Sequence, residues 1–484
     1  MSLRFVMRTT IAASWVIIWA VLAIGAVYGW GYGPMLLGCA LVAALEGVRR
    51  AARRPTSGFP WPGPQLDGMS VALALLCGTI AIELVPLPNA WLASISPGLD
   101  GLLRRHDLGY TAAAAGIAGA PGRHPLSIDP TATARGLMFV AALSAWFLAL
   151  RSAFRREGTL AFIRAVGGAG VAIALFAIVQ RATFNGHVYW TWTPKEGVGN
   201  PFGPFINHNH FATFMLLVLS LQLGRLCALA APGRGPRTHT LRERVVWLAS
   251  REASELLLTG FGVVIGALAL VLSLSRSGIC SLVLLVSLVA AVRFRRRGGR
   301  PVRALTSVFV AAVPGLAIAW AGLDRVSGRF ASIPLEAPFR LGIWEDTARI
   351  IRDMPLTGTG FNTFGVASPY YQTTDLSLHF AEAHNDYLQL ASEGGLFLLI
   401  LAASVLVVFC RQIARRLGAR ADDVETAWTR VGAVAGLVAV AAQSLVEFGL
   451  QVPANASLFV AVAALAAHEP RPRRTAYVRP PATG

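Results

Sequence analysis

Apolar runs broken by short polar stretches fill the chain, and most reach the roughly 17–25 residues that carry a helix across a bilayer. They predict about twelve membrane helices, near 11–30, 34–48, 69–87, 134–150, 159–180, 210–230, 256–274, 278–293, 304–321, 394–410, 430–447 and 453–467. The second run is short, and Pro453 and Asn455 weaken the last. The helices read as unbroken, with no internal repeat. The fold class expected is an all-α polytopic integral membrane protein.

The polar breaks alternate in character. "RRAARR" (49–54), "RSAFRR" (151–156), "GRGPRTHTLRER" (233–244), "RFRRRGGRPVR" (293–303), "RQIARRLGAR" (411–420) and "RPRR" (471–474) are arginine-rich, and the breaks between them are less basic. The positive-inside rule places the basic breaks in the cytoplasm, together with both termini. The opposite side then receives the long loops 88–133, 182–209 and 322–393. Loops of such length are usually functional. The longest contains "RLGIWEDTARIIRD" (340–353), in which Leu341, Trp344, Ala348 and Ile351 form one apolar stripe. The stripe predicts an amphipathic helix lying at the membrane interface, anchored by Trp344. In "PLTGTGFNTFG" (355–365) the proline and glycines end that helix in a turn. The tail "RPRRTAYVRPPATG" is expected to be disordered.

Composition agrees. Only 14% of the 484 residues are charged and 55% are hydrophobic, against about a quarter charged in soluble proteins. The net charge of +18 suggests nucleic acid at first sight, but the cations sit in short clusters between apolar runs, as topology determinants do. Nearly all are arginine; Lys195 is the single lysine. Cys39, Cys77, Cys227, Cys280 and Cys410 lie in or beside apolar runs without C-x-x-C spacing, so neither a zinc site nor a disulfide framework is expected. The N-terminal run is long for a signal peptide and reads as an uncleaved first helix.

Candidate chemistry collects on the side of the long loops. Arg276, in "LSLSRSGIC", sits in a very short connection flanked by Ser273, Ser275 and Ser277. It can snorkel to headgroups, or act with the hydroxyls and the next helix N-terminus as an anion clamp. In "AEAHNDYLQL", His384 can accept a proton near neutral pH, with Glu382 and Asp386 close enough to orient it. The plainer reading makes Asn385 a helix N-cap. "GPFINHNHFATF" crowds Asn207, His208, Asn209 and His210 at a helix start. A metal pair with His384 as third ligand is the weaker reading there, because residues two apart on a helix diverge; sugar or phosphate contacts suit better. Arg340, Arg349 and Arg352 ride the amphipathic helix, as an anion site or as a solvated face. Glu447 and Gln451 end the last helix pair, where Glu447 can balance arginines or orient a substrate hydroxyl. No nucleotide loop or metal-binding motif appears, so no cofactor is expected.

The succession "NHNHFA", "SLSRSG", "RLGIWEDTARIIRDMPLTGTGFNTF" and "AHNDYLQLASEGG" resembles the O-antigen ligase and polymerase family over roughly residues 200–455. The resemblance implies a class C glycosyltransferase-like fold and a catalytic region over 201–467, after N-terminal helices in 1–200 and before a cytoplasmic tail at 468–484. It implies transfer of glycan from an undecaprenyl-diphosphate carrier to lipid A–core or another glycan, at the periplasmic face of the bacterial inner membrane. In that family arginines bind the diphosphate and a histidine of the "HN" motif is the proposed base. Carried over, Arg276 and Arg340 hold the diphosphate and His384 is the base. Relatives often have Arg or Pro in place of His208, and some carry an arginine shortly before G-x-F-x-N. Lys195 is the cation available there in this chain.

The chemistry of the residues is consistent with that. A sugar diphosphate carries its own leaving group and needs charge stabilisation, whereas the acceptor hydroxyl needs a base. The expectation is a metal-independent inverting transferase whose partners are the lipid-linked donor, the acceptor and membrane lipid, with no nucleic acid. The alternative is a transporter or flippase of an amphipathic anionic lipid-linked glycan. Transporters, however, place charge and broken helices near the bilayer midplane, often in related halves.

Overall fold

The structure is a computed structural model and describes residues 8–52, 67–195, 199–231, 240–295, 315, 333–417 and 423–470. The described residues are helical apart from loops and one short antiparallel pair, Leu87–Pro88 with His124–Arg123. The helices are α1 Thr9–Leu22, α2 Gly29–Ala51, α3 Gly68–Ile82, α4 Asn89–Ile95, α5 Pro97–His106, α6 Leu108–Ala114, α7 Pro130–Glu157, α8 Leu160–Ala182 and α9 His208–Leu229. There follow α10 Leu241–Leu248, α11 Arg251–Leu272, α12 Arg276–Arg295, α13 Ile333–Asp353, α14 Phe364–Tyr371, α15 Asp386–Leu417, α16 Val424–Gln443 and α17 Pro453–Ala467. Eight of these, α2, α7, α8, α9, α11, α12, α15 and α16, are long and apolar enough to cross a membrane. α1, α3 and α17 are apolar but shorter. Of the twelve expected spans, eight fall on these long helices, three on the shorter α1, α3 and α17, and the one expected at 304–321 lies outside the described residues.

Two boundaries moved for identifiable reasons. The run at 11–30 is interrupted by a tight turn at Ile24–Ala26, where Gly25 takes a φ of +69°. The helix expected to end at 87 stops at Ile82, ahead of Pro86 and Pro88.

α9 is apolar on all sides and forms the centre of the bundle. Its contact with α16 is close because small residues face each other. A Cβ on Gly432 would lie 2.3 Å from the Ser220 carbonyl oxygen, and one on Gly436 would meet the Ser220 side chain. The pair Gly432/Gly436 against Ser220/Gly224 is a small-xxx-small crossing. Some interior polar groups are paired: Gln222 donates to Gly167 O at 2.9 Å, and buried Arg430 donates to Ala466 O and His468 O. Residues 468–470 are thus attached to the bundle, and 471–484, the bulk of the expected tail, lie outside the described residues.

The helix ends sort as the charge alternation predicts. Arg49, Arg156, Glu46 and Glu157 form one ion-paired cluster, and Arg225 bridges Glu255 and Glu425. At the other end, the loops 83–129 and 333–385 pack together over a second apolar core of Leu92, Leu99, Leu103, Ile350, Met354 and Phe364.

The expectation of unbroken helices fails in α15. Gly395 has φ +54° and ψ −160°, and the helix breaks there. The "PLTGTG" loop pairs the freed backbone groups: Thr359 N donates to Ser392 O (3.0 Å), Gly360 N to Glu393 O (2.8 Å), Leu396 N to Pro355 O (2.8 Å) and Phe397 N to Leu356 O (3.2 Å). Glu393 accepts from the amides of Asn362 and Phe364, and Glu83 accepts from Phe361 N. The "PLTGTG" and "AHNDYLQLASEGG" segments therefore interlock, and they fix the first turns of α15.

Candidate active site

The 444–452 connection between α16 and α17 organises the site. It receives the start of α15 through three bonds: Asn385 Nδ2 to Leu445 O (2.8 Å), Asp386 N to Ser444 O (3.0 Å) and Gln451 Nε2 to Asp386 Oδ1 (3.3 Å). Asn385 also caps α15, its Oδ1 accepting from Tyr387 N and Leu388 N at 3.0 Å each. The capping reading thus holds for Asn385, which leaves the adjacent His384 imidazole for other work.

His384 is held in the left-handed region at φ +53°, a conformation that costs a non-glycine residue energy and persists only when its surroundings enforce it. The enforcement is visible on both flanks. Trp344 Nε1 donates to Ala383 O at 3.1 Å, and Asn385 is fixed as described. The imidazole stands edge-on to Phe448 with ring centroids 4.7 Å apart, and its Nδ1 is buried without a hydrogen-bond partner among the described residues. Burial, and secondarily the positive charge of Arg340, pull its pKa down to about 4. At neutral pH it is therefore an uncharged imidazole whose Nδ1 is unpartnered among the described residues. Glu382 is pushed up to about 7 by burial.

Arg340, on α13, donates through Nη2 to Glu447 Oε1 (2.8 Å) and through Nη1 to Val446 O (2.9 Å). Burial raises the Glu447 carboxyl above its ordinary range, opposed by Arg340 and by the Asn209 and Ser277 side chains. Ser277 lies 3.5 Å from Glu447 Oε1 and from Gln443 Nε2, and Gln443 Oε1 accepts from Thr213 Oγ1 at 3.0 Å. One polar chain thus joins α13, the 444–452 connection and the ends of α12, α16 and α9. Half-buried Arg276 opens α12 directly beside Ser277. Ser275 Oγ accepts from Gly278 N at 3.2 Å, so one of the helix N-terminal amides expected to be open is already capped.

The "NHNH" residues divide. Asn207 caps α9, accepting from Asn209 N at 2.8 Å. His208 is buried with Nδ1 2.8 Å from Ser273 O, so Nδ1 carries the proton and ties α9 to the end of α11. His210 packs edge-on against Phe448 at 4.7 Å, as His384 does, and its Nε2 is buried without a partner among the described residues. Lys195 is exposed, and its one described bond, from its backbone amide to Tyr28 Oη at 3.4 Å, does not join it to this cluster. Arg349 pairs with Asp346, and Arg352 is exposed.

The apolar stripe of α13 expected at the membrane interface stays on its outer side, and a different face packs inward. Ile343, Asp346, Thr347 and Ile350 point inward, Leu341 and Ala348 are exposed, and Trp344 holds the Ala383 carbonyl. The inward Asp346 accepts from Thr373 N and Oγ1, which an apolar stripe cannot reveal. Phe448, Gln443, Glu393 and Glu83 were not singled out from the sequence. A signal existed for Glu393 and Glu83, each an acid beside a long apolar run.

The chain is therefore a polytopic, all-helical membrane protein with a polar site capped by long loops at one end of the bundle. Residues 261–403 match the family model described as O-antigen ligase, which supports the resemblance of this part of the chain to that family. No curated protein matches the chain.

Proposed function

We propose that the protein transfers glycan from an undecaprenyl-diphosphate-linked donor to the hydroxyl of a sugar acceptor, as an O-antigen ligase or as an O-antigen or exopolysaccharide polymerase. The observation that carries this is the pairing of an uncharged, open-sided imidazole at His384 with the Arg340–Glu447–Ser277 chain next to Arg276. The acceptor O–H attacks C1 of the donor sugar while the bond from C1 to the diphosphate oxygen breaks. The proton passes to Nδ1 of His384, and undecaprenyl diphosphate leaves with the electron pair, its charge met by Arg340 and Arg276. The diphosphate offsets Arg340, a charge that depresses the pKa of His384, so donor binding makes the imidazole a stronger base. One displacement inverts the anomeric centre, and no metal is required. The site faces the periplasm, with the arginine-rich ends in the cytoplasm.

The break at Gly395 does not favour a transporter. It lies nine residues into α15, about 13 Å from its start, and a protein loop, not a cavity, pairs its freed backbone groups. The test is complementation of a deletion strain, reading envelope glycans on a carbohydrate-stained gel. Wild type should restore long chains and normally expressed His384→Ala should not. Single repeats left on lipid in the deletion would mean a polymerase. Full-length chains held on the carrier and missing from lipid A–core would mean a ligase. Restoration by His384→Ala would refute the assignment of the base.

A further inference from the structure

At the end of the bundle opposite His384, a cavity of about 290 Å³ opens beside the C-terminal ends of α2, α7 and α15. Arg50, Arg151 and Arg155 line it. Arg151 pairs through Nη2 with Asp67, yet its Nη1 is buried without a hydrogen-bond partner among the described residues. Arg50 is tied to Ser152 Oγ (3.0 Å) and Leu148 O (3.1 Å), 4.0 Å from Glu46 Oε1, a carboxylate that Arg156 also holds, and within electrostatic reach of Arg151 and Arg156. Arg155 shares Glu469 with Arg416. Asp67 and Glu469 are the carboxylates of the lining, so cationic charge is in excess. Gln412 adds an unpartnered buried acceptor, Oε1.

An excess of arginine, an unspent guanidinium N–H and a nearby acceptor suit a phosphate bearing a hydroxylated substituent. The surroundings identify the carrier. Val48 on α2, Val71 on α3 and Val407 on α15 lie within about one and a half turns of the cavity residues and are 65%, 40% and 46% exposed, giving an apolar surface for acyl chains. Basic pockets between membrane helices take anionic headgroups in this way. We propose that this cleft binds the phosphodiester headgroup of an anionic phospholipid, with Arg151 and Arg155 on the phosphate and Gln412 accepting from a headgroup hydroxyl. The site is separate from the transfer chemistry, and its assignment does not depend on it.

The test uses full-length protein in detergent micelles doped with phosphatidylglycerol or phosphatidylcholine, or supplied with inorganic phosphate. Native mass spectrometry reads retained lipid, and thermal melting reads stabilisation. Phosphatidylglycerol should be retained in preference to phosphatidylcholine, and Arg151→Gln and Arg155→Gln should each weaken retention about fivefold. Arg155 is 61% exposed, so Arg155→Gln carries the test if Arg151→Gln does not fold. Arg155→Lys should recover most of the loss. Equal retention of the two lipids, or wild-type retention by the Arg155→Gln variant, overturns the proposal. Inorganic phosphate that displaces the lipid and stabilises as strongly would assign the cleft to free phosphate and overturn the lipid assignment.

Discussion

Replacing His384 by asparagine separates catalysis from folding. Asparagine tolerates the left-handed backbone that His384 occupies at φ +53°, so the substitution adds no backbone strain. The structural loss is confined to the edge contact with Phe448, about 0.5–1.5 kcal/mol for an aromatic pair. No hydrogen bond is forfeited at Nδ1, because none is made there among the described residues. The catalytic loss is that of a general base, about 10²–10⁴ in rate, or roughly 3–5 kcal/mol of barrier at 1.36 kcal/mol per decade. His384→Asn should therefore melt close to wild type and be slower by at least a hundredfold. The assay is single-turnover transfer from purified undecaprenyl-diphosphate glycan in proteoliposomes, with product separated by chromatography and melting followed in parallel. A variant within tenfold of the wild-type rate, at an unchanged melting temperature, would show that His384 is not the base.

The pH profile follows from the same residue: a base whose pKa is lowered works above that value, so kcat/KM of the free enzyme should hold from neutral pH down and fall only as pH drops through about 4. An acid limb near 6.5 would contradict the buried, Arg340-facing environment. Arg340→Lys keeps the charge but cannot span Glu447 and Val446 together. Loss of one charge-assisted bond, about 1.5–3 kcal/mol, should lower kcat/KM by ten- to a hundredfold in steady-state transfer assays, and an unaltered value would detach Arg340 from the reaction. Gly395→Ala places a Cβ 2.5 Å from the Leu356 carbonyl at a backbone angle reserved for glycine. It should destabilise by more than about 3 kcal/mol, read as a lower melting temperature and loss of long-chain glycan; a wild-type melt would mean the loop yields easily.

Much of this was legible in the sequence because the causes are local. Apolar length marks the helices, and arginine clustering correctly groups their ends, since both are properties of contiguous residues. The motif "HND" likewise announces an N-cap, which Asn385 supplies. What escaped depends on contacts distant in the chain. Phe448 carries two histidines that are 174 positions apart by number, His210 and His384. The Gly432/Gly436 crossing on Ser220 is visible only once α9 and α16 are known to be neighbours. The inward face of α13 could not be picked out because its buried Asp346 is satisfied by Thr373, so polarity stopped reporting exposure.

The interlocked motifs also explain why residues so rich in polar character need not all touch substrate. In α15, a break at Gly395 frees backbone groups that would be costly to leave unpaired beside a membrane, and the "PLTGTG" loop meets them one by one. Glu393 then takes the amides of Asn362 and Phe364, and Glu83 that of Phe361. This frame fixes the first turns of α15 relative to both long loops. The fixed start of α15 binds the 444–452 connection through Asn385 and Asp386, and that connection presents Phe448 to His384 and Glu447 to Arg340. Under the proposed function the motif glycines and acids are positioning residues, and the reacting groups are few. Substitutions in the frame should lower melting temperature and transfer rate together, whereas those at His384 should lower the rate alone.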